Sequence, residues 1–185
     1  MSTPEAIDQL LGLLRNPRPQ GEVLRPLISA LEQSQPCDLT KQAAQLEGVW
    51  ELRWSSSKLP YLQVQPWLEN LQLLLPRERR AMNLLRLAGP GGGLGTIAVL
   101  AELQLEPPQR VGVRFVKGGW MGPRLGPIQA QLMPAVNQSF PAWLDITFLS
   151  EQLRICRGSN GTLFALLKRL DLDPYALLPS GGANA

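Results

Sequence analysis

The residue types that most often carry out catalysis are scarce in this sequence. It contains no histidine, the side chain that most often acts as a general base or metal ligand near neutral pH. The serine run at 55–57 has no visible base to activate a hydroxyl, and Lys58 follows it directly rather than at a Ser-x-x-Lys spacing. The sequence therefore predicts no catalytic residue and no enzyme activity.

Motifs that hold metals or phosphate are also incomplete. Cys37 and Cys156 lie far apart without a CxxC spacing, so we expect two buried thiols and neither a zinc site nor a disulfide framework. Asp171 and Asp173 lack the further oxygen ligands of a calcium loop. The glycine-rich segment 89–95 is followed by a strand pattern and not by Gly-Lys-Ser/Thr, which favours a hairpin loop. No metal and no resident cofactor is expected.

Aromatic side chains are the residues left that could build a binding site. Aromatic residues that face inward either fill a core or line a ligand pocket, and the sequence leaves both interpretations open. The candidate cavity residues are Trp50, Leu52, Trp54, Phe115 and Trp143.

The spacing of apolar residues places these side chains on a β-sheet. From Gly48 onward the period is two, so that Trp50, Leu52 and Trp54 point to one face and the polar residues between them to the other. Further short strands are predicted at 61–65, 70–75, 82–87, 95–105, 110–116, 128–132, 143–149, 152–156 and 162–168. Most are separated by tight turns and not by helices, which favours an antiparallel meander closed into a barrel over residues 48–170.

Helical periodicity is confined to residues 1–47. Apolar residues recur at i, i+3, i+4 and i+7 from Ile7 to Leu14 and again from Leu24 to Leu31, and a short third helix is predicted over 40–46. Several barrel strands are apolar on both faces, so we expect this helical segment to pack on the outside of the barrel. The tail at 171–185 is predicted to be a frayed end.

Composition limits the partners of the protein. Hydrophobic residues make up 44% of the 185 residues and charged residues 18%, which suits one domain with a weakly charged surface. The net charge of +3 comes from scattered cations, which argues against nucleic-acid binding and leaves a mild attraction to anionic lipid headgroups. The N-terminus has no signal or transit pattern, and no stretch reaches the ~20 apolar residues of a membrane span. We expect a cytoplasmic protein or one peripheral to a membrane.

The segment Lys117–Arg124 has two interpretations. A tryptophan and a methionine among glycines and cations are suited to a membrane surface or to the mouth of a barrel. A long hairpin loop without a direct role is the simpler interpretation, and it is the prediction made here.

Two parts of the chain resemble the plastid lipid-associated protein family, also called PAP/fibrillin. The segment from Leu46 to Ser56, with Gly48-Val49-Trp50, is similar to the opening of that family's first strand. The run WLDITFL at 143–149, followed by Arg154-x-x-Arg157-Gly158 and by Gly161-x-Leu-Phe164, resembles its closing hairpin. An ordered set of three such strand motifs is more specific than Gly-x-Trp alone.

The resemblance implies a lipocalin-like barrel that binds an apolar lipid or isoprenoid, such as a prenylquinone or carotenoid, at the thylakoid membrane of a cyanobacterium. In barrels of this kind an arginine from the last strands packs on the first-strand tryptophan, here Arg154 or Arg157 on Trp50. The resemblance implies that one group of residues closes an end of the barrel, here called the closure set: Gly48, Trp50, Arg154, Arg157 and Gly158. The leading hypothesis is a non-enzymatic lipid carrier with a hollow barrel.

Two alternatives stay open at this point. The barrel core could be filled, in which case the protein would dock on a thylakoid membrane or complex through its apolar outer face. A chromophore lyase on the same type of barrel rests on fold analogy alone, since no residue offers an acid or base for it. The sequence does not indicate the oligomeric state.

Overall fold

The computed structural model describes residues 2–89, 95–126, 128–138 and 142–179. The described helices are α1 (Thr3–Leu14), α2 (Gly21–Ser34), α3 (Leu39–Gln42) and α4 (Pro174–Leu177), with a 3₁₀ turn at Ala43–Leu46. The described strands are β1 (Gly48–Ser55), β2 (Leu68–Leu75), β3 (Arg80–Leu87), β4 (Thr96–Glu106), β5 (Arg110–Leu125), β6 (Ile128–Leu132), β7 (Ala142–Leu149), β8 (Leu153–Gly158) and β9 (Leu163–Lys168).

These strands form one antiparallel sheet that closes on itself. β1 pairs with β2 and β9, the chain continues β2–β3–β4 on one side and β9–β8–β7 on the other, and β5 joins β4 to β7. Eight strands therefore form a closed ring, and β6 pairs with β5 outside it. Closure leaves no unpaired edge within the ring. The predicted fold class, a mainly β barrel preceded by helices, is confirmed.

Two predictions about individual strands are wrong. Residues 61–65 do not form a strand; a 3₁₀ turn occupies Pro60–Leu62, and Gln65 makes a single bridge to Leu68. The segment Lys117–Arg124 is not a loop, because it forms the second half of β5 and pairs with both β4 and β6. Its glycines suggested a turn, but Gly119 is needed for close approach, since a Cβ there would lie 2.0 Å from the carbonyl oxygen of Leu132.

Two apolar patches on the outside of the barrel are covered by other segments of the chain. α1 and α2 pack on β7, β8 and β9, where Phe148 and Ile155 are fully buried beneath them. The segment after β9 packs on β2 and β3, with Leu172 and Leu177 against Leu71 and neighbouring side chains. The described part of the tail is therefore packed and not frayed; residues 180–185 lie outside the described ranges.

An ion-pair network on the outer face ties β1, β2 and β3 to the chain leaving β9. Arg169 donates to Glu51 at 3.2 Å, to Glu69 at 2.9 Å and to Asp171 through two nitrogens. The bond from Arg169 lowers the pKa of Asp171 to about 2. Burial raises the pKa of Glu69, but hydrogen bonds from Arg169 and Arg86 outweigh it, and the net shift is downward. The network thus links the chain that leaves the last strand, β9, to the outer faces of β1 and β2.

Candidate functional site

The barrel interior is identified by a cluster to which every strand of the ring contributes. The segment before β1 contributes too, because it crosses the end of the barrel at which β1 begins. Its backbone is held there by hydrogen bonds from the Cys37 amide to the Thr147 carbonyl and from the Leu39 amide to the Pro108 carbonyl. The buried members of the cluster are Cys37, Leu39, Leu46, Trp50, Leu52, Leu74, Ala81, Ala101, Leu103, Val111, Ile146, Leu149, Cys156, Phe164 and Leu166. The half of the barrel nearest the start of β1, here called the lower half, is thus filled with side chains. Residues 37–46 close it at that end and are here called the plug.

Trp50 is the largest side chain in this lower half. It is fully buried, and its indole N–H donates to the Leu46 carbonyl of the plug at 2.8 Å. Two cations lie near its ring, the Arg154 guanidinium carbon at 5.1 Å and the Lys168 ammonium at 5.2 Å from the ring centroid. Gly48, with φ of 130°, lies against the Lys168 stem, and a Cβ there would approach Cε to 2.7 Å. The Trp50–Arg154 contact predicted from the resemblance is present in the structure.

Arg154 projects into the barrel and is fully buried. Its Nη2 donates to the side-chain oxygen of Gln72 on β2, and among the described residues its Nε has no hydrogen-bond partner. Burial lowers the pKa of this guanidinium. Burial also raises the pKa of the neighbouring Cys156, so this thiol stays neutral and provides no counter-charge.

The upper part of the barrel differs, because inward-facing residues there are accessible to solvent. Trp50 pairs with Gln72 and Gln72 with Asn83, so all three face inward, yet Gln72 is half-buried and Asn83 is exposed. One row higher, Ile97 is 51% exposed and its partner on β5, Trp120, is 41% exposed. Above the filled half, the inner face of β2–β5 is therefore exposed to solvent.

Two of the five cavity candidates lie outside the barrel, which corrects the prediction. A register shift between Leu52 and Trp54 turns Trp54 to the outer face, where it packs with α1 and α2 and lies under Arg25. Trp143 also faces outward. The guanidinium of Arg110 stacks on it, with Cζ 4.0 Å from the centroid of the indole ring. The other three candidates, Trp50, Leu52 and Phe115, belong to the interior cluster or pack against it.

One member of the predicted closure set is also misplaced. Arg157 lies three residues from Arg154 and so projects to the opposite face of β8, where it forms a bidentate ion pair with Glu32 of α2 at 2.9 and 2.6 Å. It fastens α2 to the barrel and does not contact Trp50. Gly158 faces inward, where a Cβ would lie 3.3 Å from the Phe164 ring.

The sequence interpretation missed polar residues of the interior, among them Gln72, Asn83 and Lys168. In the sequence, Gln72 and Asn83 each stand between two apolar residues, which is the pattern of a solvent-facing strand position. Polar side chains at inward positions stand out only once the register of β2 and β3 is known.

Other kinds of site find no support among residues 2–89, 95–126, 128–138 and 142–179. No group of three or more His, Cys, Asp or Glu side chains there could hold a metal ion. The helices within these ranges are too short or too polar to cross a membrane.

Comparison with known proteins agrees with the resemblance noted in the sequence. A family model described as PAP_fibrillin matches residues 5–167, which is most of the chain. No curated protein and no solved structure matches. With a barrel that begins at the Gly-x-Trp segment and ends with the hairpin of β8 and β9, the chain belongs to the PAP_fibrillin family, whose members are in general non-enzymatic, lipid-associated proteins.

Proposed function

We propose that this protein binds an apolar lipid or isoprenoid, of the prenylquinone or carotenoid class, in the upper half of its barrel and does so without catalysing a reaction. The observation that carries the proposal is the exposure of inward-facing side chains above a filled and plugged lower half. Asn83, Ile97 and Trp120 face the axis of a closed barrel and yet contact solvent. A core that was filled throughout would bury them.

The affinity in such a site comes from removing apolar surface from water. Ile97 and Val99 on β4, Leu85 on β3 and Trp120 on β5 provide aliphatic and aromatic surface on one continuous wall. Covering apolar surface is favourable by about 25 cal/mol per Å². An isoprenoid or acyl chain along this wall would therefore bind through the hydrophobic effect, and no acid or base is required.

Titration of the protein with decyl-plastoquinone, followed by quenching of tryptophan fluorescence, tests the proposal. We expect saturable binding, and we expect the substitution Ile97→Gln to weaken it about fivefold, because roughly 1 kcal/mol of apolar contact is lost. Ile97 is already exposed, so the substitution should leave the free energy of unfolding almost unchanged.

The matched control is Val23→Gln, which replaces an exposed apolar residue on α2, outside the barrel. It should bind the quinone like the wild type. A wild-type protein that binds neither decyl-plastoquinone nor β-carotene would contradict the proposal.

A second candidate function, docking on a thylakoid membrane, is favoured by the tip of the β5–β6 hairpin. Leu125 and Ile128 pair with each other there and are 75% and 72% exposed, and Leu132 follows on the same hairpin. Exposed apolar residues grouped at one hairpin tip are suited to insertion at a lipid surface. Because the tip lies at the open end of the barrel, docking and lipid uptake are compatible.

Sedimentation with vesicles of phosphatidylcholine, with and without phosphatidylglycerol, tests this docking. The double substitution Leu125→Ser and Ile128→Ser should lower the bound fraction about tenfold, because two aliphatic side chains no longer enter the lipid. Leu170→Ser, which changes an equally exposed leucine beyond the end of β9, should have no effect. Equal vesicle binding by the double variant and the wild type would argue against the hairpin as the docking element.

A further inference from the structure

Unlike several arginines on the outside of this barrel, Arg154 has no carboxylate partner among the described residues. Arg110, Arg157 and Arg169 each form ion pairs with Asp or Glu. No ion pair within the described part of the chain includes Arg154, although it is the one charged residue there that is buried. A cation that is buried without a counter-charge is unfavourable, unless an acceptor occupies its remaining donors.

The groups around Arg154 provide no negative charge, and one of them is a second cation. Lys168 is a second cation on the same tryptophan ring, and the proximity of Arg154 helps to lower the pKa of Lys168, although burial lowers it more. Cys156 is neutral because burial raises its pKa. The oxygen of Gln72 is a neutral acceptor and engages Nη2, which leaves Nε free of any partner among the described residues.

A polar path joins Arg154 to the open half of the barrel. Gln72 contacts Arg154 and is half-buried, and its neighbour on β3, Asn83, is exposed to solvent on the inner face. A polar head can therefore follow amide groups inward, while an attached chain stays on the apolar wall of β3, β4 and β5. The guanidinium edge formed by Nε and Nη2 has the geometry that pairs with two carboxylate oxygens.

We propose that Arg154 is the anchor for the carboxylate of a single-chain fatty acid, with Nε and Nη2 as the two donors and Gln72 displaced from Nη2. The inference rests on the proposed lipid-binding function and adds a second ligand class, acidic single-chain amphiphiles, to the neutral prenylquinones and carotenoids proposed above. A quinone or carotenoid would occupy the upper wall without compensating the charge of Arg154.

The comparison of palmitic acid with methyl palmitate tests this anchor, since both have the same chain and only the acid is anionic. We expect the wild-type protein to bind the acid about tenfold more tightly, because a charge-assisted pair is formed only with the carboxylate. Arg154→Met should abolish this preference. The control Arg157→Met removes an arginine from the outer face of the same strand and should retain it.

Each outcome distinguishes the anchor from the general function. Equal binding of acid and ester by the wild type would overturn the anchor and leave the lipid-binding function standing, whereas binding of neither would count against both. If Arg154→Met does not fold, the wild-type comparison and the variant Arg154→Lys still test the anchor. Arg154→Lys keeps the positive charge but loses the two parallel guanidinium donors, so it should reduce the preference for palmitic acid over methyl palmitate. Loss of the preference in Arg157→Met as well would overturn the assignment to Arg154.

Discussion

The substitution Trp50→Ala is expected to lower the free energy of unfolding by about 4 kcal/mol. Trp50 is fully buried at the centre of the interior cluster, and truncation of a large aromatic side chain at such a position leaves a cavity that costs about 3–5 kcal/mol. The Leu46 carbonyl of the plug also loses its indole donor. For a chain of this size the melting temperature should fall on the order of 10 °C. Urea unfolding followed by circular dichroism measures the effect.

Two further variants separate the causes of this loss. Trp50→Phe keeps an aromatic ring against Arg154 and Lys168 but removes the N–H, so we expect a loss of about 1–2 kcal/mol from the unpaired carbonyl and the smaller ring. Trp67→Ala is the control, because Trp67 is 60% exposed and its truncation should change stability by less than about 0.5 kcal/mol. A Trp50→Ala protein as stable as the control would show that Trp50 does not hold the plug on the barrel.

The parts of the fold that could be predicted from the sequence are those set by local interactions. The change from helical periodicity to alternation at Gly48 marks the true start of β1, because both patterns depend on neighbours a few residues apart. The first two helices were recognised for the same reason. The pairing of β5 with β4, β6 and β7 was not predictable, since a strand that exchanges partners along its length depends on residues far apart in sequence.

The errors in the candidate site have the same physical origin. One extra residue in β1, between Leu52 and Trp54, reverses the face of everything after it, and the bulge is set by pairing with β9. For Trp143 the sequence contains a local signal. Asp145 lies two residues further on the same face of β7, and a carboxylate that is paired with Arg110 in solvent marks that face as the outside.

The contrast between Arg154 and Arg157 shows how far a resemblance can assign a role. The motif Arg-x-x-Arg places its two cations on opposite faces of a strand, so that only one of them can reach the interior tryptophan. Which one does so depends on the register of β8 against β7 and β9. The structure places Arg154 on Trp50 in the interior and Arg157 on Glu32, so one cation of the motif packs inside the barrel and the other fastens α2.

Trp54→Ala is expected to destabilise the protein by about 3 kcal/mol and to leave lipid affinity unchanged. Trp54 is buried between the outer face of β1 and the N-terminal helices, with Gly21 of α2 against its ring, so its loss should loosen α1 and α2 but not the interior. Urea unfolding, hydrogen exchange of α2 and titration with decyl-plastoquinone provide the three measurements. Trp143→Ala, which truncates a half-buried tryptophan elsewhere on the outer face, should cost only about 1 kcal/mol and should not affect exchange in α2. A folded Trp54→Ala protein that binds the quinone tenfold more weakly would contradict this prediction. It would show that Trp54 contacts the ligand and that the lipid binds against the helices and not in the barrel mouth.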